Sequence, residues 1–136
     1  MLDRITSNLQ LQGEALRLRA ERQKVLSGNI ANSDTPGYQA RDFDFATALR
    51  DATGANGPGV MSGTSITSTG HLPMSAATGA SPRLGYRQPD QASIDGNTVD
   101  MDRERAAFAD NTIRYQATLR FINGDVRNML SAIRGD

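Results

Sequence analysis

The chain has 136 residues, 38% of them apolar, with no Trp or Cys, and its fifteen Lys and Arg balance fifteen Asp and Glu. That length allows at most one ordinary domain, and the zero net charge removes a bulk electrostatic case for nucleic acid or anionic membrane. The missing cysteines exclude a disulfide framework and a thiolate metal site.

Residues 1–32 read as a core helix, because Leu, Arg, Gln, Glu and Ala dominate and no Pro occurs before Pro36. Leu2, Ile5, Leu9 and Leu16 form one apolar line, and Leu11, Ala15, Leu18 and Val25 lie on a different side. Two apolar seams on one helix call for more than one helical neighbour. Gln12, Arg19 and Gln23 interrupt the first line and break a simple two-helix register there. The start also lacks the basic and apolar regions of a secretory signal. The chain is therefore expected either to stay in the cytoplasm or to leave by a route without a cleaved signal. No apolar run approaches the roughly 18 residues of a membrane span.

Residues 33–50 carry a turn and an aromatic cluster. In "SGNIANSDTPGYQARDFDF", Asn32 suits the left-handed end of a helix, and Thr35 is driven extended by the Pro that follows it. Pro36 and Gly37 fit the two central positions of a type II turn, where Gly supplies the positive φ. Tyr38 to Arg41 should then be extended, and Phe43 and Phe45 should enter a short segment with Ala46 and Leu49. Three of the seven Phe and Tyr residues, Tyr38, Phe43 and Phe45, sit in this stretch. A turn that merely reverses the chain does not need so specific a hydrophobic continuation.

Residues 51–96 hold eight Gly, four Pro, six Ser and five Thr. Such a composition supports neither a packed core nor a long helix, so the middle is expected to be loop-rich with short irregular or β segments.

Residues 97–134 read as the second core helix. Met101, Phe108, Tyr115, Leu119, Ile122, Val126, Met129 and Ile133 fall on a four-three repeat, with Arg105 and Thr112 as its two polar members. That is a heptad seam. Thr98 or Asp100 can cap the start, Asp102 and Glu104 face the positive end of the helix dipole, and Asp110 and Arg114 are spaced for an ion pair. A second stripe, Ala106, Ile113, Ala117 and Phe121, lies on another side. The fold expected is mainly α, with two long terminal helices pairing as a coiled-coil-like core. A helix of this length spans about 55 Å, too long for a compact globule of this size. Each helix can bury one seam on the other, so the remaining seams need other chains. The pattern is that of an assembly subunit.

Catalytic chemistry is thin. His71 is the only histidine and sits in the loop "STGHLPM". Asp42 and Asp44 could form a carboxylate pair, but a helix cap beside a phenylalanine accounts for them. "DGNTVDMDRE" fails as a calcium loop, because Val99 stands at a ligand position and Gly96 comes too early. No catalytic residue, cofactor or metal is assigned.

The stretch "SGNIANSDTPGY" resembles the N-terminal signature of the bacterial flagellar axial proteins of rod, hook and hook–filament junction. The matching residues are Asn29, Ala31, Asn32, Thr35, Pro36, Gly37 and Tyr38. "QARDFDF", "DGNTVDMD" and the short length narrow the resemblance to proximal-rod members. The resemblance implies a non-enzymatic subunit whose terminal helices pair, whose copies stack into a hollow tube, and whose post-turn segment presents Tyr38, Phe43 and Phe45 as anchors to a neighbouring subunit. It also implies export through the flagellar type III apparatus without a cleaved signal. Implied partners are further copies, other rod proteins and the membrane ring and export gate complex. A coiled-coil secreted protein or a dimeric export-chaperone-like adaptor is the alternative that heptads alone would permit.

Overall fold

The computed structural model describes residues 2–54, 81–88 and 94–135. His71 and most of the Gly/Ser/Thr-rich middle lie outside them, as do the side chains of residues 2–4. The element order is α1 (Leu2–Ala31), β1 (Arg41–Asp42), α2 (Phe45–Ala52), β2 (Gly85–Tyr86) and α3 (Met101–Arg134). The protein is mainly helical, and α1 and α3 pack against each other as an antiparallel hairpin.

Local chemistry sets the ends of the helices. Asp100 caps α3 by accepting from the Asp102 and Arg103 amides, and Gly135 closes it with a left-handed φ of 79°. Asp44 caps α2 by accepting from the Ala46 amide and the Thr47 hydroxyl. Asp110 and Arg114 pair at 2.9 Å on the exposed face of α3. The helix runs unbroken through Gly124.

The face that α3 turns to α1 is not the apolar heptad. Glu104 and Asn111 are its fully buried members, each 1% exposed. Phe108, Tyr115, Ile122, Met129 and Met101 are half-buried, while Leu119, Val126 and Ile133 are exposed. The contact line thus runs through 104, 108, 111, 115, 118 and 122, rotated from the expected seam at every second member. The reason is that α1 presents polar partners along the contact. Gln12 donates to Asp125 at 2.9 Å, and Gln23 donates to Thr112 at 2.8 Å. Asn111 donates to the Arg19 carbonyl at 2.9 Å and to Gln23 at 2.6 Å. Of the residues that interrupted the N-terminal seam, Gln12 and Gln23 reach across to α3 with their side chains, and Arg19 meets it through its carbonyl.

Burial is concentrated at one end of the hairpin. Leu18, Leu26, Asn29, Ala40, Phe43, Asn97, Glu104 and Asn111 are the buried residues among those described. All lie between the turn and the middle of the helices. Toward the open end, Phe121 and Ile133 are 67% and 81% exposed.

Candidate functional site

The densest structure lies where α1 ends. The Asn32 amide donates back to the Gly28 and Asn29 carbonyls, and the Asn32 side chain to Gly28. Beyond them, the Asn32 and Thr35 carbonyls accept from the Thr35 and Tyr38 amides. A shared side-chain donor arrives from 62 to 65 positions away: Nδ2 of Asn97 reaches the carbonyls of Asn32 (3.1 Å), Ser33 (2.6 Å) and Thr35 (3.0 Å). Asn97 is 7% exposed, and its own Oδ1 accepts from the Val99 amide.

The turn that follows has a left-handed Gly37 at φ 71°, and the Tyr38 amide donates to the Thr35 carbonyl at 3.2 Å. Pro36 cannot take a positive φ, so this is a type II turn. Gly96, at φ 73°, packs beside it; a Cβ there would come within 3.8 Å of the Gly37 Cα. Three further bonds clip the two stretches together. The Gly37 amide donates to the Asp95 carbonyl, the Thr98 amide to the Tyr38 carbonyl, and the Ala40 amide to the Thr98 hydroxyl. The two motifs singled out in the sequence, around Thr35–Tyr38 and around Asp95–Asp100, are therefore one joint.

Beneath the joint lies a set of buried polar groups. Asn29 is fully buried and uses both ends of its amide. Its Nδ2 donates to the Arg41 carbonyl (2.7 Å) and to Glu104 (3.0 Å), while its Oδ1 accepts from the Arg41 amide (3.1 Å) and the Tyr38 hydroxyl (3.3 Å). Arg87 bridges Glu104, at 2.8 Å, and Asp42. Arg22 of α1 holds the other side of Asp42 with two bonds of 3.0 and 2.8 Å. Two cations and two carboxylates are thus neutralised among α1, β1, α3 and the residue after β2, as buried charges require.

Burial pushes the Asp42 carboxyl up, but hydrogen bonds from Arg22, Arg87 and the Phe43 amide outweigh it and hold the group below its ordinary value of 3.8. The bond to Asp42 in turn raises Arg22. A depressed carboxylate contributes stability above its unfolded pKa that is lost as pH falls through the folded value. The urea midpoint should therefore be level above about pH 5 and drop below about pH 4. Asp42→Asn should remove part of that drop, which midpoints taken at both ends of the range will show.

The sequence-assigned residues divide here. Asn29, Asn32, Gly37 and Tyr38 build the joint, with Thr35 and Pro36 on its exposed rim. Phe43 is 6% exposed and belongs to its own chain's core, which corrects its reading as an anchor turned to a neighbour. It lies between β1 and α2, both of which pack on α1, where an apolar footing is needed. Phe45 is half-buried, with the Arg19 guanidinium 4.4 Å from its ring centre. Sequence reasoning missed Asn97, Glu104, Arg87, Arg22 and the core residue Leu26. Among the described residues no cluster of acids and histidine could hold a metal, and no helix is long and apolar enough to cross a membrane.

Comparison with known proteins agrees with this geometry. The family model for the flagella basal body rod protein matches residues 9–39, the segment that carries α1 into the joint. The flagellar basal body rod protein FlgB of Escherichia coli K12 is 51% identical over 98% of both chains. That of Salmonella typhimurium LT2 is 49% identical over 99% of both. The FlgB protein of Aeromonas hydrophila is 42% identical over 90% of this chain and 89% of its own. With identity of this order along nearly its whole length, the chain belongs to the FlgB family of flagellar basal body rod proteins.

Proposed function

We propose that this chain is a structural subunit of the proximal rod of the flagellar basal body. In this reading it joins copies of itself and other rod proteins, meets the membrane ring and export gate complex, and transmits torque to the distal rod. It lies in the periplasmic space and arrives by flagellar export without a cleaved signal, as the family resemblance implies. The rod names of its relatives give the dimeric-adaptor alternative no support.

The observation that carries the reading is the apolar surface left on the open half of the hairpin. Phe121 and Leu119 lie about 160° apart around α3 at 100° per residue, and both are exposed. Opposite flanks of one helix require two different neighbours. On the Leu119 side, Ala20, Gln23 and Ser27 of α1 face Phe108, Thr112 and Tyr115 of α3 across a groove of about 430 Å³. Faces that differ in this way suit head-to-tail contacts, which build a helical array wherever the rotation between copies does not close a ring.

The test separates folding from assembly. Phe121→Asp and Ile133→Asp should each change the stability of the isolated chain by less than about 0.5 kcal/mol, as exposed positions do. Cells carrying either should lose motility, and their purified basal bodies should lack rods. Normal swimming with both substitutions combined would refute the reading.

A further inference from the structure

Among the described residues, few contacts join residues 81–88 to the hairpin. Among residues 81–88 only Pro82 and Arg87 are not exposed, and β2 packs on no helix or strand other than β1. The pairing is short, Arg41 opposite Tyr86 and Asp42 opposite Gly85. Arg87 adds a backbone bond to the Ala40 carbonyl at 2.9 Å and the bridge from its guanidinium to Asp42 and Glu104.

Both carboxylates are held without it. Asp42 keeps its two bonds from Arg22 and one from the Phe43 amide, and Glu104 keeps Asn29. The bonds that close the joint, Gly37 to Asp95, Thr98 to Tyr38 and Ala40 to Thr98, do not pass through Arg87. Asn97 and its three carbonyls do not either.

We infer that residues 81–88 form a detachable strap, pinned by Arg87 in a carboxylate socket that the hairpin builds on its own, so that lifting the strap and opening the joint are separate events. The socket is shaped for a guanidinium: one carboxylate from β1 and one from α3 receive different nitrogens of the planar fork. Lifting the strap uncovers that pair and the pairing edge of β1. The inference rests on contacts within one subunit and is independent of the rod reading.

Amide hydrogen exchange on the full chain tests it. In the unaltered protein under rising urea, the Arg87 amide should exchange through an opening of lower free energy than the amides of Gly37, Ala40 and Thr98. Arg87→Met should speed exchange at position 87 about tenfold or more while those three stay within about twofold. Joint and strap amides exchanging together in the unaltered protein would overturn the inference. So would loss of the whole joint in Arg87→Met, or unchanged exchange at position 87.

Discussion

Asn97→Asp is expected to lower the stability of the isolated chain by about 3 kcal/mol, as the loss of a shared donor from several part-buried carbonyls predicts. The substitution keeps the size of the side chain and reverses its hydrogen bonding. Where two amide hydrogens now serve the carbonyls of Asn32, Ser33 and Thr35, a carboxylate oxygen would face three oxygens. The site is 7% exposed, so water does little to relieve the charge. Asn97→Ala removes the donors without adding the repulsion and should cost less, about 2 kcal/mol. Urea midpoints for both variants, with the m value unchanged, give the order directly. Because the same side chain fixes how α1 leaves the hairpin, cells carrying Asn97→Asp should also fail to swim. An Asn97→Asp protein as stable as the parent would mean that those carbonyls find other donors and that Asn97 does not hold the joint.

The parts of this fold that were legible in the sequence are those fixed locally. Two Pro-free stretches of strong helix formers gave α1 and α3, Asp100 announced a cap, and Pro36-Gly37 announced a positive φ. Each of these depends on residues within a few positions of one another. The joint was not legible as one object, because its closing bonds link positions about 60 residues apart: Asn97 with Asn32–Thr35, and Thr98 with Tyr38 and Ala40. The helix contact was misjudged for a different reason. A heptad template weights apolar residues, so it placed Leu119 and Val126 inside and passed over Glu104 and Asn111. Those two are buried because α1 and Arg87 supply their partners, which neither helix reveals alone. A signal was present nonetheless. Glu104, Asn111, Thr118 and Asp125 repeat every seven residues, and Gln12 and Gln23 stand where the facing seam breaks. A polar heptad opposite polar interruptions marks a hydrogen-bonded interface, in which register is set by pairing instead of packing. The match is not complete: Gln12 Oε1, Arg19 Nε and Asn111 Oδ1 are buried without a hydrogen-bond partner. Unmet groups of that kind weaken the hairpin around its middle.

Glu104→Ala should be the most damaging single change at the charge cluster, with a loss of about 3–5 kcal/mol, the range for removing one member of a buried pair. Glu104 is 1% exposed, and its removal strands groups on two elements at once. Asn29 Nδ2 keeps only the Arg41 carbonyl, and Arg87 keeps only Asp42. Glu104→Gln preserves shape and an acceptor for Arg87, but its amide then meets the Asn29 amide donor to donor, so a loss of about half that size is expected. The informative variant is the double one. With Arg87→Met already in place, Glu104 keeps its bond from Asn29 but no longer has a cation to satisfy, so deleting the carboxylate as well strands one group instead of two. Glu104→Ala combined with Arg87→Met should therefore fall short of the sum of the single losses by about 1 kcal/mol or more. Urea unfolding of the four proteins closes that cycle. Strict additivity would show that Glu104 and Arg87 act independently, and the 2.8 Å bridge between them would then be a contact without coupling.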